Sequence, residues 1–261
     1  MDVLRSRFIE GARRARGVVV IIDVFRAFSL CAYAAALGAR PLLVTADTGV
    51  ARAFKARCPE ALLAGEEGGW PIAGFDLGNS PTQLLQMVAS GRPVRGRPWL
   101  QRSSAGTQGV MAAGPARCLF VASLVNSRAT AAAVRTLQPT CVTLVAMGRA
   151  GREPAIEDEV CAEAIAAHLA GQPWDGARAA HLLYTSARVR ELLAGCFEPF
   201  PPSDVALCLA FDLFPFALKA RRRGPFAVIR PLVVQEGHPR IVRPGQPSRG
   251  GGGPPQRLAP A

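Results

Sequence analysis

The sequence predicts an α/β protein in three α/β/α layers, built on a largely parallel or mixed sheet. Short apolar runs rich in β-branched residues alternate with Ala-rich stretches of helical length. The connections are short and carry Gly, Pro, Asn and Asp. Polar residues collect where the apolar runs stop, which is where open sheets bind ligands.

Residues 18–24 are a continuous β-branched run, the pattern of a central strand covered on both faces. Residues 27–37 are Ala-rich and helical, closed by Gly38. A second strand is predicted over 41–45, a helix over 48–57, and a short strand over 61–64 that delivers the loop 65–69. Residues 74–80 read as a polar loop, after which Pro81 opens a helix at a position where its missing N–H costs nothing. A strand over 98–101 leads into Ser103–Thr107, and a helix starts at Gly106. Residues 118–123, 127–137 and 141–146 read as strand, helix and strand. The helix over 157–170 opens on Glu157, Asp158 and Glu159, which favour its positive end. Strand, polar loop, Ala-rich helix and strand occur at 18–45 and again at 118–146, a pattern compatible with two similar α/β halves.

The 261 residues carry 31 Lys plus Arg against 19 Asp plus Glu, a formal charge of +12. That charge belongs to the ends. Arg5, Arg7, Arg13, Arg14 and Arg16 outnumber Asp2 and Glu10 in residues 1–17, and nine basic residues face Glu236 alone from 219 onward. The body between is nearly neutral, and no aromatics interleave the basic ends as a single-strand nucleic-acid binder needs. The sequence therefore divides into a basic segment over 1–17, a domain over 18–230 and a Pro/Gly/Arg-rich flexible tail over 231–261. Hydrophobic residues at 49% exclude a wholly disordered chain, and no apolar run is long enough to span a membrane. Asp23 and Arg26 interrupt what otherwise imitates a signal peptide. Seven scattered cysteines form no metal or disulfide pattern and read as reduced thiols of a cytoplasmic protein.

The polar residues at the predicted strand ends are of informative types. Asp23 and Arg26 follow the first strand, Glu66 and Glu67 another, and Asp76, Asn79 and Ser80 lie in the Gly-bounded loop. Arg102, Ser103, Ser104 and Thr107 precede a helix, Ser123 and Asn126 follow a strand, and Glu157 and Asp158 begin a helix. Carboxylates from separate loops suit Mg²⁺, a hard cation that takes oxygen ligands. Ser103 to Thr107 offers hydroxyls and backbone N–H groups to an anion, and Arg26 and Arg102 offer bidentate contacts to phosphate or sulfonate. Together they suggest phosphoryl chemistry on a small anionic molecule, with water attacking in line. Each residue alone also has an ordinary structural explanation: Asp23 as a strand-end cap, Asp76 as a turn former, and the acids at 157–159 as complements to a helix dipole. The three histidines lack metal-ligand spacing, and no nucleophile elbow, Walker loop or Gly/Arg-framed cysteine is present.

Val20-Ile21-Ile22-Asp23-Val24-Phe25-Arg26-Ala27, Ala64-Gly65-Glu66-Glu67-Gly68-Gly69, Gly74-Phe75-Asp76-Leu77-Gly78-Asn79-Ser80-Pro81, Ser103-Ser104-Ala105-Gly106-Thr107 and Glu157-Asp158 occur in this order. The pattern resembles the 2-phosphosulfolactate phosphatase family over about residues 18–215. The resemblance implies Mg²⁺-dependent hydrolysis of 2-phosphosulfolactate to sulfolactate and phosphate, a step toward coenzyme M. It implies catalytic roles for Asp23, Glu66 and Asp76, and metal binding by these three with Glu157 and Asp158. It implies that Arg26, Asn79, Ser80, Ser103, Ser104, Gly106, Thr107 and Asn126 hold the phosphate and acid groups. The expected partner is a small anionic phosphoacid, with no nucleic acid and no membrane; homo-oligomerisation is left open. Two departures stand out: Glu67 replaces the family's usual Arg, setting a negative charge where the substrate wants a positive one, and Ala105 replaces an Asn-like residue. A relative that binds or hydrolyses another phosphoacid therefore stays open, as does a binder of nucleic acid or anionic surfaces through the basic ends.

Overall fold

The structure, a computed structural model, describes residues 1–235 and 238–241. The chain runs β1 (Asp2–Arg7), α1 (Phe8–Arg14), β2 (Gly17–Ile22), α2 (Ala27–Ala36), β3 (Leu42–Thr45), α3 (Thr48–Arg57), β4 (Leu62–Glu67) and β5 (Trp70–Pro71). It continues α4 (Pro81–Ala89), β6 (Trp99–Arg102), α5 (Gly106–Ala112), β7 (Ala116–Ala122), a 3₁₀ turn (Leu124–Asn126), α6 (Ser127–Arg135), β8 (Cys141–Ala146) and α7 (Ile156–Ala170). Last come α8 (Gly176–Thr185), α9 (Ala187–Leu193), α10 (Ser203–Cys208), β9 (Ala217–Arg223), β10 (Phe226–Gln235) and β11 (His238–Ile241).

The strands form one mixed sheet in the order β1-β8-β2-β7-β9-β10-β3-β6-β4-β5, with β11 on β10. Two parallel blocks, β1-β8-β2-β7 and β3-β6-β4, are joined by the antiparallel β9–β10 hairpin. Pairing is antiparallel at β7–β9, β9–β10 and β10–β3, so the blocks run in opposite senses along the ladder. Residues that follow the carboxyl ends of both blocks nonetheless meet, since Gly106, past the end of β6, donates its N–H to Asp23, past the end of β2, at 2.7 Å.

The predicted three layers are present. Along β2, Val19 and Ile21 point into one core with Phe28 and Leu30 of α2, Leu84 of α4 and Trp99. Val18, Val20 and Ile22 point into a second core with Val134 of α6, Ile165 of α7 and Leu183 of α8. The continuous apolar run is thus what a strand covered on both faces requires. The recurring strand–helix–strand units are interleaved and do not form separate halves: β2 and β7 pair at the centre, while α2 covers one face and α6 the other.

Two boundaries differ from the sequence reading. Residues 1–17 are not a segment apart, because β1 pairs with β8 from Asp2 to Arg7 and Ala12 lies in the core. Their exposed arginines conceal a strand and a helix with one buried edge. Residues 231–235, assigned to the tail, extend β10, where Leu232 pairs with Ala217. The stretches 236–237 and 242–261 of that predicted tail lie outside the described residues. Among the described residues no helix is long and apolar enough to cross a membrane.

Candidate active site

A cavity of about 720 Å³ opens where the loops after β2, β6 and β8 meet β4 and the start of α7. Asp23, Arg26, Glu66, Asn79, Ser104, Glu157 and Asp158 all line it. Seven residues expected to act chemically therefore come together from five places in the chain.

Asp23 continues beyond β2 through its N–H to the Ala122 carbonyl, 3.2 Å, which fixes its backbone at the sheet end. Its carboxylate accepts the N–H of Ala27 at 3.1 Å and of Gly106 at 2.7 Å. A Cβ on residue 106 would lie 2.7 Å from Asp23 Oδ2, so only glycine permits this approach. Gly106 thus serves the site by holding Asp23. Asp158 is fixed in the same manner, accepting from Val24 N–H at 2.8 Å and Gly148 N–H at 2.7 Å. Glu157 is buried beside it, and its Oε2 has no hydrogen-bond partner among the described residues. Glu66 accepts from the backbone N–H and hydroxyl of Ser104 and from Gly69 N–H, tying the β4–β5 connection to the loop after β6.

Buried like charges shift these groups together. Burial pushes the Asp23 carboxyl up to about 6; N–H donors oppose the shift, while Glu66 adds to it. Burial and then Asp23 push Glu157 up to about 7, with its own N–H and Arg188 opposing. Asp158 is raised by burial and by both neighbours. Opposite charge comes from Arg26, whose Nη1 donates to Asp204 Oδ2 at 2.8 Å and Pro199 O at 3.0 Å, while its guanidinium lies 4.3 Å over the Phe200 ring. Asn79 presents its amide at the cavity, held by Gln101 Nε2 at 3.0 Å.

The donor set suits a hard cation: carboxylates buried near one another, one with an unpaired oxygen, and two fixed in place by backbone donors. Among the described residues, no group of three or more His, Cys, Asp or Glu side chains already stands in a metal-holding arrangement. Mg²⁺ requires less than that, since it commonly takes one or two carboxylates and keeps waters or phosphate oxygens.

Other expected site residues have different work. Asp76 does not join the cavity. Its carboxylate bonds Lys55 at 3.0 Å, Leu63 N–H at 3.0 Å and Arg92 at 3.1 Å, pinning the loop before α4 to α3 and β4. Burial would raise its carboxyl, but Leu63, Lys55 and Arg92 outweigh that and hold it below the usual range. Asp76→Asn is accordingly expected to lower stability by about 1–2 kcal/mol, with activity per folded molecule kept. Loss of turnover with an unchanged denaturation midpoint would restore Asp76 to catalysis.

Ser80 caps α4 through Gln83 N–H and donates to Asp204, while Ser103 and Thr107 satisfy each other across the first turn of α5. Asn126 closes the capping box with Ser123. None of these four lines the cavity. Arg102 turns from it too, bonding the Glu66 carbonyl, Ser104 Oγ and Glu67. Glu67 is mostly exposed and paired with Arg102 at 2.7 Å, so its charge does not line the cavity wall. Sequence reasoning missed Asp204, Arg188, Phe197 and Phe200. They lie in residues 186–204, where short helices and a loop carry no strand-end signal.

Fold and cavity define a three-layer α/β protein of the type that receives a small charged molecule at the carboxyl ends of its strands. The family model described as 2-phosphosulpholactate phosphatase matches residues 5–198. The chain belongs to that family. It is 29% identical over 218 residues to a protein of Bacillus subtilis (strain 168), covering 82% of this chain and 92% of the relative. A relative in Pseudothermotoga lettingae is 31% identical over 206 residues, 76% and 86% of the two chains. One in Deinococcus radiodurans is 38% identical over 168 residues, 62% and 68% of the two. All three carry the name "Probable 2-phosphosulfolactate phosphatase".

Proposed function

We propose that this protein is a Mg²⁺-dependent hydrolase of phosphoric monoesters that converts 2-phosphosulfolactate to sulfolactate and inorganic phosphate. The observation that carries the reading is the convergence of Asp23, Glu66, Glu157 and Asp158 with Arg26 in one cavity of a chain of this family. Asp23 and Asp158 are the residues that would hold Mg²⁺, each preoriented by two backbone N–H groups. When bound, the ion supplies charge stabilisation to the transferring phosphoryl group. Arg26 and Asn79 bind phosphate oxygens: Arg26 is anchored at Nη1, and its Nε and Nη2 have no protein partner among the described residues. Glu66 orients Ser104 so that the loop after β6 faces the same oxygens. Glu157, with an unpaired oxygen and a pKa near neutrality, takes a proton from the attacking water. Water adds to phosphorus as the ester P–O bond breaks, and the departing alkoxide oxygen takes up a proton from solvent, giving sulfolactate and inorganic phosphate. Placement in the cytoplasm and in coenzyme M synthesis belongs to the same proposal.

Phosphate release from 2-phosphosulfolactate, with EDTA and after Mg²⁺ is restored, tests it. The expected result is turnover that EDTA abolishes and Mg²⁺ returns; release unaffected by EDTA would remove the ion from the reading.

Stability offers an independent check. Carboxyls raised to about 6 and about 7 retain protons that the unfolded chain, titrating near 4, has already lost. Their contribution is full at acid pH and is lost as pH rises through 6 and 7. These groups should therefore make the metal-free protein melt lower at pH 8 than at pH 5.5. Millimolar Mg²⁺ should raise the melting temperature by several degrees at pH 8 and by less at pH 5.5. An equal response at both values would contradict the assignment.

A further inference from the structure

Among the described residues, three arginines line the cavity, and they are not equivalent. Arg26 is bonded to Asp204 in the protein interior. Arg149 is bonded to Glu153, which also lines the cavity, so that pair is neutral in sum. Arg188 is different. Its nearest carboxylate, Glu191, stands 3.7 Å away, beyond a hydrogen bond, and its side chain is 37% exposed. Its guanidinium lies 5.9 Å from the centre of the Phe197 ring, and Trp70 of β5 meets that ring edge-on. The 197–200 loop therefore carries two rings, each faced by a guanidinium: Phe200 by Arg26 and Phe197 by Arg188. A ring face steers a guanidinium without consuming its N–H donors, so Arg188 keeps its charge and its fork of donors for a ligand.

A phosphate monoester with no other charge needs one such seat, and Arg26 supplies it. Arg188 faces Glu191 at 3.7 Å and offsets the charge of Glu157, yet among the described residues no hydrogen bond occupies its donors, and a second guanidinium so placed needs another reason. Small diacids would be repelled by those carboxylates unless a cation met their second acid group.

We infer that Arg188 is a specificity-determining residue that binds the acid group of the substrate remote from its phosphate. This rests on the phosphoacid reading above and deepens it by setting the substrate class: phosphate esters that bear a second strong acid. A planar guanidinium accepts carboxylate or sulfonate alike, so the assay must separate the two.

The test compares wild type, Arg188→Gln and Arg188→Lys on four phosphate esters. They are 2-phosphosulfolactate, 2-phospholactate without the sulfonate, 2-phosphopropane-1-sulfonate without the carboxylate, and isopropyl phosphate without either. The expected result for Arg188→Gln is a rise in KM of about ten- to a hundredfold on esters that keep the recognised acid, with kcat changed less. The loss on isopropyl phosphate should be smaller by tenfold or more, and Arg188→Lys should recover part of the difference. The ester that shows no such excess loss identifies, by what it lacks, which acid Arg188 holds. Equal losses on all four would overturn the inference. Calorimetric titration with sulfolactate reads the same contact without turnover: weaker binding to Arg188→Gln supports it, and equal or absent binding to both proteins overturns it. If wild type hydrolyses none of the esters, the phosphatase reading fails, while the titration still decides the role of Arg188.

Discussion

Asp23→Asn is expected to reduce phosphate release by about a thousandfold or more while leaving the protein folded. The side chain stands at the centre of the buried acidic group: its charge raises both Glu157 and Asp158, and its oxygens are fixed by Ala27 and Gly106. The amide is nearly the same size, but it is a weaker ligand for a hard cation, and its NH₂ must face one of two N–H donors. That loses a hydrogen bond. Against the loss, a buried charge beside three other carboxylates disappears. The two effects oppose each other, so the melting temperature should move by only a few degrees, while affinity for Mg²⁺ falls steeply. Steady-state kinetics with saturating Mg²⁺ and differential scanning calorimetry separate these effects. Turnover near the wild-type level would remove Asp23 from the chemistry.

The largest loss of stability is expected from Asp204→Ala, about 3–5 kcal/mol by chemical denaturation. Asp204 is fully buried at the start of α10 and accepts from Arg26 Nη1, Ser80 Oγ and Thr82 N–H. Removing the carboxylate strands a guanidinium that is itself 5% exposed and unpairs two further donors. Asp204→Asn should cost less, because one oxygen can still serve Ser80 and Thr82. In the Asn variant the remaining defect should appear in KM, since Arg26 loses its charged anchor. A cost below 1 kcal/mol for the alanine variant would mean that Arg26 has another way to be satisfied.

How much of this was legible in the sequence depended on where each residue sits. Asp23, Arg26, Glu157 and Asp158 were readable because an apolar run or a helix start marks a strand end or helix end without ambiguity. Residues there sit at a sheet margin whatever the tertiary packing. Asp76 stands apart from the cavity because its motif gives its loop but not its direction, and two cations from α3 and the loop after α4 turn it away. Ser80, Ser103, Thr107 and Asn126 have side chains suited equally to anions and to backbone caps, and here the caps take them. Asp204 and Arg188 were invisible for a different reason. Their roles arise from contacts of 100 residues or more in sequence separation or from a ring beneath the side chain, neither of which periodicity records. The +12 charge conceals structure at both ends: arginines on the exposed face of β1 and α1 hide elements that belong to the domain, and residues 231–235 extend β10.

The most direct test of the central claim is anomalous diffraction from crystals soaked in Mn²⁺ and inorganic phosphate, with Mn²⁺ standing in for Mg²⁺. A peak between Asp23 and Asp158, with phosphate density reaching Arg26, is the predicted result. A cavity without the ion, or an ion bound instead at Asp76, would contradict it.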